Sequence, residues 1–202
     1  MELDDIHFVT KKCSELTNQE INQCADLFSN HYGIWGKEDP KNRSGQRIKL
    51  SAGYYEKFKR SNNHYVSLAY HKNDVVGQAF YIRKKVDGFG YNSWVIQIVV
   101  NSKYRRCKIG RTLLYSIWGF SDDSAWGLAT ANPYTVQTLE SATFRRVLPE
   151  EIYKHLDQIK ELGKNVAFVE KYLVNKEESL VDTGFFIDKS KVTEAIKRYQ
   201  WE

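Results

Sequence analysis

Three cysteines, three prolines and one methionine are few for 202 residues. Cys13, Cys24 and Cys107 are odd in number, far apart and without C-x-x-C spacing. That excludes a paired disulfide framework and points to reduced thiols in the cytoplasm. No apolar run approaches the roughly 18–20 residues of a membrane span. The first residues, M-E-L-D-D, are acidic and lack the basic-then-apolar order of a signal peptide. His7, His31, His64, His71 and His155 show no ligand spacing, so no metal site is expected. Internal repeats, low-complexity tracts and long linkers are missing too. Net charge is +5, compatible with an anionic cofactor, an acidic substrate or weak RNA binding, and it decides none of them.

What is present suits a single domain of 1–202 with a real core. Thirteen tyrosines and ten phenylalanines favour strands and lined pockets over a plain helical bundle. Residues 6–9 suggest a short first strand. Thr17 and Glu20 have the capping-box spacing, followed by Ile21, Cys24, Leu27 and Phe28 on one helical face. Residues 37–49 are polar and turn-rich and suggest a mobile loop. Leu50-Ser51 opens a second helix to about Arg60.

From Tyr65 the period changes to two, predicting an antiparallel meander of strands at 65–70, 75–85 and 91–100. In the last of these Trp94, Ile96, Ile98 and Val100 take one face and Val95 and Val99 the other, with Gln97 the polar interruption. A helix from Ile109, a parallel strand over 125–131 and a helix opened by Asn132-Pro133 follow. The tail suggests a helix over 150–162, strands from Val166 and at 180–187, and a last helix with Val192, Ala195 and Ile196.

The organising stretch is Tyr91 to Thr112. An apolar strand delivers a loop with Lys103, Arg105, Arg106, Lys108 and Arg111 to a helix start. Unpaired N–H groups, the macrodipole and cations meet there, which suits a pyrophosphate.

Arg105-Arg106-Cys107-Lys108-Ile109-Gly110, then Arg111-Thr112-Leu113-Leu114, resembles the cofactor motif of the GCN5-related N-acetyltransferase (GNAT) superfamily. The likeness spans about 64–146 and, more loosely, 1–60. Lys108 stands where the family has its first glycine. The resemblance implies a mixed α/β (α+β) fold: a mostly antiparallel sheet, a splayed parallel pair and helices on both faces. The core would end near residue 146, with an extra αββα tail over 147–202.

It also implies acetyl-CoA as cosubstrate. Ile98, Val99 and Val100 would offer backbone groups to its pantetheine arm. Arg105, Arg106, Cys107, Lys108, Ile109, Gly110, Arg111 and Thr112 would cradle its phosphates, with Asn132 as helix cap or cofactor contact. Tyr32, Trp35, Tyr54 and Tyr55 fall where the family forms its acceptor pocket.

Candidate catalytic residues are Gln97, which cannot take a proton and so would orient water or substrate, Glu140, at the position of a family tyrosine, and its neighbour Tyr134. The expected function is acetyl transfer to a primary amine, on a small molecule or a protein, by direct attack in a ternary complex. A homodimer and a membrane-free life complete the expectation. Two alternatives stay open. Basic clusters at 41–48, 57–60, 83–85 and 145–146 would suit a toxin-like acetyltransferase acting on tRNA. The missing strand carboxylate would suit a non-catalytic acyl-CoA-binding or interaction module.

Overall fold

The computed structural model describes residues 5–36, 41, 43–130, 132–163, 173–175, 180–181 and 189–199. The chain divides into two compact units, one of residues 1–33 and 47–128, the other of 34–46 and 129–202.

The first unit is built on a five-stranded sheet in the order β1-β2-β3-β4-β5. Its strands are β1 (Ile6–Lys12), β2 (His64–His71), β3 (Asp74–Val86), β4 (Gly90–Val100) and β5 (Ala125–Leu128). The first four pair antiparallel and β5 joins β4 in parallel. The first strand is longer than the four residues expected, because β2 supplies a partner as far as Lys12.

Helices flank the sheet because β3 sends successive side chains to opposite faces. On one face the side chain of Gln78 meets Tyr55 of α2 (Ala52–Lys59). On the other, α3 (Ile109–Trp118) lies so close to Gly77 that a Cβ there would stand 2.8 Å from Ile109 Cγ2 and 3.1 Å from Leu113 Cδ1. Glycine is what permits that approach. The first helix, α1 (Asn18–His31), starts with the expected capping box: Thr17 Oγ1 accepts from Glu20 N at 3.2 Å, and the Glu20 carboxylate accepts from Thr17 N at 2.8 Å. Its buried face is Ile21, Cys24, Ala25, Leu27 and Phe28. Ser51 is the N-cap of α2, but its hydroxyl makes no capping bond.

Register corrects the face assignment of β4. Phe80 pairs with Gln97 and Tyr81 with Val95, so Ile96 is an extra residue, a β-bulge. The alternation therefore reverses at Ile96. Trp94 joins the α2 face with Gln97 and Val99, while Val95 joins the α3 face with Ile98 and Val100. The pairing of Ser93 with Trp126, whose ring stacks on Trp118 of α3, agrees with this. β5 is also shorter than the expected 125–131. It ends at Leu128 opposite Val95, immediately before the bulge interrupts the ladder.

The second unit holds α4 (Pro133–Thr143), α5 (Pro149–Lys154), α6 (Leu156–Gly163), β6 (Leu173–Asn175), β7 (Leu180–Val181) and α7 (Lys189–Tyr199). β6 and β7 pair antiparallel, and α4 packs on α7. Where one helix was expected over 150–162 there are two, broken at His155, whose N–H turns back to Ile152 O at 3.1 Å. Of the 37–49 stretch, expected to be a loop, the described residues include a turn in which Trp35 N–H bonds to Gln46 O and Gly45 N–H to Trp35 O, each at 2.9 Å. The expected strand at 166–169 and most of that at 180–187 lie outside the described residues. No helix among the described residues is long and apolar enough to cross a membrane.

Candidate active site

β4 and β5 share four rungs, from Asn92↔Ala125 to Val95↔Leu128. Beyond them β4 continues through Ile96 to Val100, with β3 alone, among the described residues, as its partner in the sheet. Ile98, Val99 and Val100, the expected contacts of the pantetheine arm, all lie on this stretch. Side chains of Ile98 and Val100 are half-buried and that of Val99 is buried. An edge of this kind leaves backbone N–H and C=O groups available for an extended ligand, as a missing strand would.

The chain then enters the basic loop. Asn101 Oδ1 accepts from Lys103 N at 3.0 Å and starts a short 3-10 turn over Ser102–Tyr104. Arg106 and Lys108 both take left-handed backbone conformations, with φ of 64° and 61°. Lys108 thus adopts the geometry that a glycine would supply without strain. Its carbonyl accepts the first helical bond of α3, from Thr112 N at 2.9 Å, and the Thr112 hydroxyl at 3.2 Å. No side chain caps the helix start. The amides of Ile109, Gly110 and Arg111 therefore precede the first helical bond, where a helix carries roughly half a positive charge.

The cations of the loop are not equivalent. Arg106 and Lys108 are exposed, and Arg111 is half-buried. Arg105 is exposed as well but is tied to the backbone: its Nε donates to Val100 O at 3.2 Å and its Nη2 donates to His31 O. Cys107 Sγ donates to Arg105 O at 3.6 Å.

Gln97, just past the bulge, sits in a buried polar cluster. Its Oε1 accepts from Tyr55 Oη at 2.7 Å and from Gln78 Nε2 at 2.6 Å, and Gln78 Nε2 also approaches Tyr55 Oη at 3.0 Å. Tyr55 and Gln78 are 0% exposed and Gln97 8%. Burial pushes the Tyr55 hydroxyl well above the usual tyrosine range, with smaller, opposing contributions from the two glutamines. Both acceptor positions of the Gln97 carbonyl are thus taken. Gln78 Oε1 is buried without a partner, one acceptor short of satisfaction.

Of the residues expected near an acceptor, Tyr54 lines an open cleft of about 730 Å³ with Ser29, Lys49, Leu50, Ser51, Gly53 and Lys57. Tyr32 stacks on Phe28 at 4.2 Å, and the Arg43 guanidinium lies 3.5 Å from the centre of a Trp35 ring.

In the second unit Asn132 is the N-cap of α4, its Oδ1 accepting from Tyr134 N at 3.0 Å. Tyr134 is 48% exposed. Glu140 is bound into its own unit: Oε1 accepts from Val147 N at 2.9 Å and lies 3.6 Å from Arg146 Nε. Among the described residues no group of three or more His, Cys, Asp and Glu is placed to hold a metal ion.

Two participants at the loop carry no role in the sequence reading, His31 and Asn101. The signal for His31 was its place in the last turn of a helix, where a histidine suits the dipole. The signal for Asn101 was its place after an apolar run, where such a side chain caps a turn.

A parallel strand pair that parts beside a cationic loop and an uncapped helix start is an acyl-CoA-transferase architecture. The profile of the acetyltransferase (GNAT) family matches residues 23–123, half of the chain, and the chain belongs to that family. It is an acetyl-CoA-dependent acyltransferase of the GNAT type, and the family uses acetyl-CoA as cosubstrate.

Solved structures agree at the level of fold. An aminoglycoside acetyltransferase from an uncultured soil metagenomic sample, in complex with sisomicin, matches with TM-score 0.52 and 15% identity over 72% of this chain and 93% of that one. A ribosomal-protein-alanine N-acetyltransferase from Brucella melitensis biovar Abortus 2308 gives 0.51 and 14% over 71% and 93%. An acetyltransferase from Trypanosoma brucei gives 0.52 and 14% over 71% and 95%. No curated protein matches the chain by sequence.

Proposed function

We propose that this protein transfers an acetyl group from acetyl-CoA to a primary amine by direct attack in a ternary complex. The observation that supports it best is the parting of β4 from β5 beyond Val95↔Leu128, continuous with the loop that carries Arg106 and Lys108. On this reading the Ile98–Val100 stretch meets the pantetheine arm, with Ile98 and the Val100 N–H facing the open edge and Val99 between them bonded towards β3. The first amides of α3, with Arg106, Lys108 and Arg111, hold the pyrophosphate. Arg105 ties the loop to the end of β4 and to α1 through Val100 O and His31 O.

The chemistry requires a neutral amine whose lone pair attacks the thioester carbon. The C–N bond forms, the C–S bond breaks, the amine loses a proton and the thiolate gains one. Gln97 cannot move a proton and acts by fixing the polar wall with Tyr55 and Gln78. Tyr134 is the candidate donor to the thiolate, and Glu140 accepts from Val147 N–H beside Arg146. The acceptor is an amine on a small molecule or a protein. Similar folds include an aminoglycoside acetyltransferase and a ribosomal-protein-alanine N-acetyltransferase, so the fold serves both kinds.

Calorimetry with acetyl-CoA tests the cofactor half. The wild type should bind, and Arg106→Glu with Lys108→Glu should lose binding while keeping its thermal transition. Absence of binding by the wild type would overturn the proposal. Release of free thiol in the presence of polyamines, aminoglycosides or amino-terminal peptides tests the transfer half. A chain that binds acetyl-CoA and acetylates none of these would overturn transfer to these primary amines.

A further inference from the structure

His31, the last residue of α1, makes two bonds to the loop that follows β4. Its Nδ1 accepts from the Ser102 backbone N–H at 3.2 Å, and its own carbonyl accepts from Arg105 Nη2. Arg105 in turn holds Val100 O at 3.2 Å, so α1, the end of β4 and the basic loop are joined through one histidine and one arginine. We propose that His31 is a positioning residue for acetyl-CoA, latching the segment Ser102–Arg105 so that the loop meets the phosphates already folded. The proposal rests on the cofactor reading above.

Each bond has a physical reason. The last carbonyls of a helix have no intrahelical donor, and a guanidinium there satisfies one of them and opposes the negative end of the dipole. Ser102 N–H can bond to Nδ1 only if that nitrogen carries no proton, which places the ring proton on Nε2. The surroundings favour this neutral ring. Burial holds its pKa below the ordinary histidine value, and Arg105 and Lys103 of the loop and Arg47 from the segment before α2 push the same way. Among the described residues, the charged groups acting on the ring are cationic. Protonation would remove the acceptor and turn an N–H towards an N–H. Because the folded pKa is depressed, the latch is complete above the ordinary histidine value and is lost as pH falls through the folded one.

The residue matters before the ligand arrives. A loop that must be ordered on binding binds more weakly than one ordered beforehand. The effect should fall on cofactor affinity and leave the chemical step alone.

The test uses the full chain, His31→Ala and His31→Asn. Asparagine carries an oxygen at the δ position, so it can accept from Ser102 but does not titrate. His31→Ala should raise the Kd and KM for acetyl-CoA about fivefold, the loss of one ordinary hydrogen bond, with kcat within twofold. His31→Asn should restore most of the affinity. Without any ligand, the protection factor of the Ser102 amide in hydrogen exchange should drop in His31→Ala and persist in His31→Asn. Between pH 7.5 and 5 it should fall in the wild type and stay level in His31→Asn. Unchanged protection in His31→Ala, or His31→Asn as weak as His31→Ala, overturns the latch. A wild type that fails to bind acetyl-CoA overturns the cofactor reading instead, and the exchange measurements still decide the latch.

Discussion

The hydroxyl of Tyr55 on α2 donates to the side-chain carbonyl of Gln97 on β4 at 2.7 Å, between residues that are 0% and 8% exposed. This bond fastens a helix from before the meander to the strand beside which the thioester is proposed to lie. Replacing Tyr55 with phenylalanine keeps the ring contacts with Phe58 and Phe80 and deletes the donor. Stability should fall by about 0.5–1.5 kcal/mol, the net range for an ordinary neutral hydrogen bond. Urea denaturation should show a lower midpoint with an unchanged slope.

Lys108 holds a left-handed φ of 61° at the start of α3. A non-glycine residue there is strained by roughly 1–2 kcal/mol. Lys108→Gly should therefore stabilise the fold by about 1 kcal/mol, while Lys108→Val, branched at Cβ, should destabilise it. Paired thermal denaturation curves would show whether the two shifts have opposite signs. Acetyl-CoA affinity of Lys108→Gly should fall modestly at low salt, because a cation near the phosphates is lost.

Gly77 lets α3 approach the sheet, with Ile109, Leu113 and Ala69 all within 3.3 Å of where a Cβ would stand. Gly77→Ala should cost about 1–3 kcal/mol, as overpacking does. It should also weaken acetyl-CoA binding, because the helix displaced carries the cationic loop at its N-terminus. Equal acetyl-CoA affinity in the variant and the wild type would separate loop geometry from helix packing.

Glu20 closes the capping box of α1 and also accepts from Lys11 Nζ at 2.7 Å and from Tyr70 Oη. Burial alone would raise its pKa, but the bonds from Lys11, Tyr70 and Thr17 prevail and hold it at about 2. The folded value lies below the unfolded one, so its contribution is present above about 4.5 and fades as pH falls towards about 2. Glu20→Gln should be less stable than the wild type at pH 7, by about 1 kcal/mol or somewhat more. Denaturation at pH 3 should show that gap narrowed.

Much of the fold was legible because its signals are local. The capping box at Thr17, the period-two runs of β2 to β4 and the helical stripe of α3 each depend on neighbours in sequence. The cationic loop was legible for the same reason, since Lys103 to Arg111 are adjacent along the chain. What failed depended on partners elsewhere. The bulge at Ile96 arises only because β3 sets the register, and it sends Trp94 and Val95 to the faces opposite those that simple alternation assigns. The early end of β5 follows from that same interruption.

The candidate site divides along the same line. Charge, strand–loop–helix order and the family likeness were determined by the sequence alone, because each is a property of consecutive residues. The backbone of Lys108, the backbone contacts of Arg105, the pairing of Gln97 with Tyr55 and the contacts of His31 were decided only by the tertiary structure. The contacts of Gln97 with Tyr55 and of His31 with Ser102 and Arg105 join residues separated by 42 to 74 positions. No local pattern encodes which distant donor will face a given acceptor once the sheet has closed.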